Sequence, residues 1–302
     1  MASAFRGVFT IPVTPFDEAG ELDERSLLRE VDWCVRAGAH GVVAPVNASE
    51  GPALTDAERE RVTRLVVEGV ERRVPVVIGV SGVSRQASLL YTAWAREAGA
   101  DAVIAMPPYG ARLAGFDEVY AFYRAVADAA GDLPVFVQNW AGPAGTPMTA
   151  GQVARLLRDI PNVSYVKEES SDAGHAMTAE LAGAGSACLG VMGGMGGRHL
   201  LGEHRRGSCG TMPACQTTDV HAAIWNALEA GDESGARAMH TRLAPLLNLE
   251  DRYGVPLYKE VLQWRGVIDS ATVRGYLYSP LDAYDREELN VVLRDIEELF
   301  TV

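Results

Sequence analysis

The chain has 302 residues, 48% hydrophobic and 22% charged, and a formal net charge of -13. That acidity excludes a general nucleic-acid binder, which needs a basic surface to displace counterions from phosphates. The apolar runs are strand-sized, too short to span a membrane as helices.

Strand-like and helix-like segments alternate from the start. Residues 7–14 read as a strand, and 23–37 carry apolar residues at a 3.6-residue period, a helix. A second strand follows at 41–46, and Thr55 with Glu58 three residues on forms a capping box that opens the next helix. The third strand spans 74–79, with a helix behind it at 85–98. The stretch Ala-Gly-Ala-His-Gly-Val-Val-Ala at 37–44 returns in kind as Ala-Gly-Ala-Asp-Ala-Val-Ile-Ala at 98–105. Helix end, glycine stop and buried strand recur in that order, the mark of βα units stacked in register. Further strands at 134–138, 163–167, 187–192 and 208–212, each with a helical segment behind it, bring the total to eight.

Eight parallel strands with crossover helices close most economically into a (β/α)8 TIM barrel, although a doubly wound open sheet gives the same alternation. The glycine-rich turn Gly193-Gly-Met-Gly-Gly197 follows the seventh strand. A dinucleotide fingerprint belongs after the first, which argues against Rossmann binding. Past residue 217 the patterns are helical only, with caps expected near Asp219 and Asp285 and breaks at Gly231, Gly254 and Gly266. The expected division is a barrel over 1–216, then its last helix and a C-terminal helical extension over 217–302 packed on it. Cys34, Cys188, Cys209 and Cys215 form no CxxC pair and no zinc spacing with histidine, so a reduced, cytoplasmic protein is expected. The opening residues MASAFRGVFT show no signal-peptide core.

In a parallel barrel the chemistry gathers at the carboxyl ends of the strands. The polar candidates there are Thr14, the Asn47-Ala48-Ser49-Glu50 loop, Tyr109, Gln138-Asn139-Trp140 and Lys167-Glu168-Glu169. Lys167 stands out because it and Lys259 are the only lysines in the chain. An amine can lose its proton in a desolvated site and attack a carbonyl, which a guanidinium cannot do; a strand-end lysine that snorkels to water is the plainer reading. Period-two geometry sends Glu169 to the lysine's side of its strand and Glu168 toward the helices, into an expected ion pair. The Asn47–Ser49 loop reads equally as an anion-holding turn and as a plain cap. Tyr109 is either a proton-relaying phenol or an aromatic plug. The six histidines show no metal-ligand spacing, and a surface or helix-side place is expected for each. Arg198, just past the glycine turn, could meet an anionic substrate, but a solvated helix start is the expected reading.

The motifs Gly7-Val-Phe-Thr-Ile-Pro-Val-Thr-Pro-Phe16, Ser49-Glu50-Gly-Pro-Ala-Leu-Thr-Asp-Ala-Glu-Arg59, Met106-Pro-Pro-Tyr109, Asn139 and Val166-Lys-Glu168 together resemble the dihydrodipicolinate synthase / N-acetylneuraminate lyase family. The resemblance runs over essentially the whole chain. It implies a barrel with a helical tail, a homo-oligomer (tetramer or dimer), and a class I lyase that forms an imine between Lys167 and a small-molecule 2-oxo acid. No metal or external cofactor is then required. Three departures from the family pattern mark the branch. Val46-Asn47-Ala48-Ser49-Glu50 stands where Gly-Thr-Thr-Gly-Glu is usual, leaving carboxylate binding to backbone N–H groups around Ala48 and Ser49 and to the Ser49 hydroxyl. Gln138-Asn139 stands where a Tyr-Asn pair is usual, and Pro143 replaces an arginine for a second carboxylate.

These features are similar to those of the 2-keto-3-deoxy sugar-acid dehydratase branch. That likeness implies Lys167, Glu169, Tyr109 and Gln138 as the catalytic set, with Asn47, Ala48, Ser49, Asn139 and Met212 around the substrate. Glu169 is the expected proton carrier, with Tyr109 and Ser49 as relays. Retro-aldol cleavage to pyruvate and an aldehyde, or a synthase-like condensation, is the alternative chemistry. Deamination of a cyclic imino acid is a third, and a catalytically silent sugar-acid binding protein is the reading from another class.

Overall fold

The computed structural model describes residues 5–109, 113, 115–142, 146–275 and 279–302. Strands β1 (Gly7–Thr10), β2 (Gly41–Ala44), β3 (Val76–Gly79), β4 (Ala102–Ala105), β5 (Val135–Trp140), β6 (Val163–Glu169), β7 (Gly190–Gly193) and β8 (Gly210–Thr211) pair in sequence order into a closed barrel. Every pair is parallel, including the β8 to β1 seam. The barrel expected from the strand count is therefore closed, and the open sheet is excluded.

Helices α1 (Glu24–Arg36), α2 (Asp56–Val70), α3 (Arg85–Ala98), α4 (Phe116–Ala130), α5 (Ala150–Asp159), α6 (Ala173–Ala184), α7 (Leu200–Arg205) and α8 (Thr218–Glu229) follow the strands in turn. Then come α9 (Glu233–Tyr253), α10 (Val255–Trp264) and α11 (Ala283–Ile296). No helix among the described residues is long and apolar enough to cross a membrane.

The boundaries have local causes. The Thr55/Glu58 capping box opens α2 as expected, and Thr149 with Gln152 does the same for α5. The repeated stop works through Gly38 and Gly99, at φ 87° and 86°, where the left-handed backbone turns each helix toward its strand. The cap expected near Asp219 is instead Thr217, and Asp219 lies buried in the first turn of α8, 2.7 Å from Arg265. At the far end Asp282 is the cap and Asp285 closes its box. Strand β8 is two residues long rather than five, and the seam it forms is tight. A Cβ on Gly210 would lie 2.1 Å from the Gly7 carbonyl oxygen.

Alternation sorts the strand residues. Val42, Ala44, Val103, Val135, Val137 and Val166 face the helix layer. Phe9, Ile104, Phe136, Tyr165 and Met192 fill the barrel interior, where Phe136 and Tyr165 stack at 4.6 Å. That aromatic layer is the floor of the site. The next inward residues on β5 and β6 are Gln138 and Lys167, and after them Trp140 and Glu169.

Candidate active site

Strands β5 and β6 run in a register that pairs Gln138 with Lys167 and Trp140 with Glu169. With period two, all four side chains point into the barrel mouth, where they line a cavity of about 660 Å³. Lys167 is 5% exposed, and its Nζ lies 3.0 Å from Glu169 Oε2. Gln138 Nε2 donates to the same oxygen at 2.8 Å, and the Met195 N–H donates to Glu169 Oε1 at 3.2 Å. The carboxylate is thus held on both oxygens, beside an amine and away from bulk water. Such a triad can pass a proton between nitrogen and oxygen without moving a heavy atom.

The alternate residues, Asn139 on β5 and Glu168 on β6, go the other way. Asn139, expected at the substrate, is 1% exposed and faces the helices. Its amide donates to the Met148 carbonyl at 3.0 Å and to Glu168 Oε2 at 2.8 Å, and its oxygen accepts from the Met148 N–H at 2.9 Å. Neighbouring strand residues alternate, so Gln138 and Asn139 cannot share a face. Glu168 does face the helices, but its expected ion pair is absent among the described residues. Its carboxylate takes hydrogen bonds from Asn139 and from the Ser170 N–H. Behind it lie Glu180 and Glu203. Burial and the charge of Glu168 keep Glu180 protonated far above the usual carboxylate range, and burial pushes Glu203 up to about 8.

After β2 the chain makes a single 3-10 turn over Asn47–Ser49. Asn47 and Ala48 line the cavity, and a helical first turn leaves its leading N–H groups outside the internal ladder. Ser49 does not reach the cavity. It is fully buried, with its hydroxyl donating to the Pro12 carbonyl at 2.7 Å and its N–H to the Val46 carbonyl at 3.1 Å. Turn geometry carries it under the loop, where Thr14 also donates to its carbonyl at 2.6 Å. Tyr109 and Met212 line the cavity as expected. Burial raises the Tyr109 phenol, opposed by the nearby Arg59 charge. Pro143 lies outside the described residues.

Three features of the site were not legible in the chain. The glycine turn after β7 forms a wall: Met195 donates to Glu169, and a Cβ on Gly194 would lie 2.2 Å from Glu169 Oε1. His221 Nε2 and His240 Nε2 brace its other side on the Gly196 and Gly197 carbonyls at 2.9 and 3.1 Å. Arg198 is not a solvated helix start. It lines the cavity with its guanidinium 2.9 Å from Asp251 and from the Leu247 carbonyl.

The second lysine is the third feature. Lys259 is fully buried, its Nζ 2.5 Å from Glu50 Oε2 and 2.7 Å from the Thr272 carbonyl, over the Phe16 ring. Glu50 Oε1 accepts from the Arg274 and Gly275 N–H groups at 2.7 and 2.6 Å, so one carboxylate ties the segment 272–275 across the cavity mouth. The scarcity of lysine was a signal for both positions, since each one is buried against a glutamate.

Comparison with known proteins places this geometry. The family model described as the dihydrodipicolinate synthetase family matches residues 4–298. The L-2-keto-3-deoxyarabonate dehydratase of Azospirillum brasilense is 33% identical over 97% of this chain and 95% of its own length. A 4-hydroxy-tetrahydrodipicolinate synthase of Thermus thermophilus is 33% identical over 88% of each chain. Among solved structures, dihydrodipicolinate synthase from Rhodopseudomonas palustris superposes with a TM-score of 0.89 at 25% identity, covering 98% of this chain and 99% of that one.

Proposed function

This chain belongs to the dihydrodipicolinate synthetase family, and from that premise we propose that it is a Schiff-base lyase that dehydrates a 2-keto-3-deoxy sugar acid through Lys167. The observation that carries the reading is the Lys167–Glu169–Gln138 cluster, an amine and a carboxylate 3.0 Å apart with an amide where the family's phenol is usual. Its likeness to the Azospirillum brasilense dehydratase over nearly the whole chain supports the same choice.

Lys167 first passes a proton to Glu169, and its amine adds to the C2 carbonyl; Glu169 returns that proton to the carbinolamine hydroxyl, which leaves as water and gives the protonated imine, with Glu169 again a carboxylate. The imine draws electrons from the C3–H bond, and Glu169 takes that proton. The enamine expels the C4 hydroxyl, which leaves with the proton as water. A second water hydrolyses the imine and frees Lys167, so the net change is loss of one water from the substrate. Asn47 and Ala48 hold the substrate carboxylate through their N–H groups, Gln138 keeps Glu169 aimed at C3, and Tyr109 and Met212 wall the acyl end. No metal or external cofactor enters this sequence of steps. A homo-oligomer, tetramer or dimer, is the proposed assembly by resemblance to the family. The four free cysteines fit a reducing compartment such as the cytoplasm.

Borohydride reduction in the presence of pyruvate or a 2-keto-3-deoxy acid, followed by peptide mass spectrometry, tests the imine. An adduct is expected at Lys167, and its absence there sinks the mechanism. Product analysis then separates the chemistries, because an undivided carbon skeleton marks a dehydratase and pyruvate release an aldolase. Glu169→Ala should still trap at Lys167, only more slowly because the ammonium has lost its proton acceptor, and should lose about 100-fold or more in kcat, the usual scale of a lost general base. Full turnover in that variant removes Glu169 from the mechanism.

A further inference from the structure

The glycine turn after β7 has a carboxyl against each of two glycines. Gly194 lies on Glu169, and Gly196 lies on Glu250: a Cβ added at Gly196 would sit 2.8 Å from Glu250 Oε2, and its φ of 67° already favours glycine. Two residues of chain separate these contacts, at most about 7.6 Å between α-carbons. Glu169 and Glu250 thus abut the same short turn. Glu250 comes from α9, outside the barrel strands, and lines the same cavity as Lys167. It is 4% exposed. Gln216 Nε2 donates to its Oε1 at 2.5 Å, while Oε2 has no hydrogen-bond partner among the described residues. A buried polar oxygen left without a partner is costly, and a ligand hydroxyl is the kind of group that would relieve it.

The charges around it define the ligand further. Among the described residues, each cation that lines the cavity has a carboxylate partner, although Arg198 Nε is left without a hydrogen-bond acceptor. Lys167 is on Glu169, Arg198 on Asp251, and Arg274 is 2.8 Å from Glu58 with its Nε on the Gly20 carbonyl. Burial pushes Glu250 up to about 8, against the opposing pull of Gln216 and Arg198, so at neutral pH it carries a proton and can donate as well as accept. A neutral hydroxyl suits such a group, whereas a terminal carboxylate or phosphate would find acids, and cations whose charge is already matched by a carboxylate.

We infer that Glu250 is a specificity-determining residue whose free oxygen receives a distal hydroxyl of the substrate, so that the site selects a neutral polyol tail over one ending in an anion. The inference rests on the reading of Lys167 as the imine former. It names an acid, drawn from the helical extension, for the part of the substrate that does not react.

Two measurements test it. The first compares Glu250→Ala and Glu250→Gln with the unaltered enzyme, using kcat/KM on a 2-keto-3-deoxy pentonic acid and borohydride trapping of pyruvate, which has no distal hydroxyl. Glu250→Ala should lose about 10- to 100-fold in kcat/KM, carried mainly by KM, with pyruvate trapping unchanged. Glu250→Gln keeps a donor and an acceptor in the same shape and should stay within about fivefold. Unchanged kcat/KM in Glu250→Ala overturns the inference, as does equal loss of pyruvate trapping and turnover, which marks a structural role. The second uses the unaltered enzyme: the 2-keto-3-deoxy acid should protect Lys167 from pyruvate trapping at least about tenfold better than 2-oxopentanedioate, whose tail ends in a carboxylate. Equal protection overturns the selectivity. Failure of pyruvate to trap at all instead overturns the imine reading on which this one rests.

Discussion

Replacing Lys259 by methionine removes a buried charge while keeping most of the side-chain volume. In the native chain its Nζ lies 2.5 Å from Glu50 Oε2, with Glu50 itself 5% exposed. At that distance and an effective dielectric near 20 the gross attraction is about 7 kcal/mol, much of it offset by the desolvation of both ions. The substitution does not return Glu50 to water. It leaves a carboxylate held by the Arg274 and Gly275 N–H groups with no ion-pair partner, only the weaker field of the Arg274 guanidinium, and it also removes the cation whose field opposes the rise of buried Glu30 toward a pKa of about 8. Breaking one side of a buried pair costs about 3–5 kcal/mol. An unfolding entropy of about 2.1 cal/mol/K per residue gives about 0.63 kcal/mol/K for 302 residues, so the melting temperature should fall by about 5–8 °C.

Because Glu50 ties the segment 272–275 over the cavity mouth, KM should rise as well, with pyruvate trapping at Lys167 intact. Differential scanning calorimetry on Lys259→Met, on Glu50→Gln and on the double variant reads both halves of the argument. The double variant should recover part of the loss, since it lacks the orphaned charge. A drop below about 1 °C in the single variant, or a double variant no better than Lys259→Met, would refute the reasoning.

The buried acids predict a pH dependence of a definite sign. Glu30, Glu203 and Glu250 are each raised from 4.5 to about 8 by burial. In the window between those values the folded chain holds protons that the unfolded chain has released. Their stabilising contribution is complete below about 4.5 and is lost as pH climbs through about 8, at no more than about 1.4 kcal/mol per pH unit for each group. The melting temperature should therefore fall between pH 5 and pH 9, and Glu203→Gln should flatten the slope; a flat or rising profile in the native protein contradicts the assignment. Ser49→Ala separates structure from binding: losing the hydroxyl strands the Pro12 carbonyl and costs about 1–3 kcal/mol. Since that hydroxyl points away from the cavity, kcat/KM should stay within about threefold, and a large KM effect would return Ser49 to the substrate.

The chain by itself determined the eight βα units and pointed to the barrel, while closure against the open sheet was decided by the structure. Eight strand-sized apolar runs separated by helical periods and glycine stops are a one-dimensional signal, and parallel strands with right-handed crossovers leave few ways to close them. It also determined which side of β6 faces the barrel interior, because period two depends only on local geometry: Tyr165, Lys167 and Glu169 point inward whatever surrounds them. The same rule, carried across to β5, would have put Asn139 on the helix face with Glu168, which is where it lies.

Tertiary structure decided what depends on partners distant in sequence. Ser49 sits in a small-residue loop that looks like an anion holder, and only the packing of that loop on residues 12–14 shows its hydroxyl turned the other way. Lys259 and Glu50 are 209 positions apart, Glu250 and Gln216 are 34 apart, and Arg198 finds its carboxylate on α9. No periodicity encodes such pairs. Whether a buried charge finds its counter-charge, or a buried oxygen is left without a partner, is settled when the helical extension folds back over the carboxyl ends of the strands.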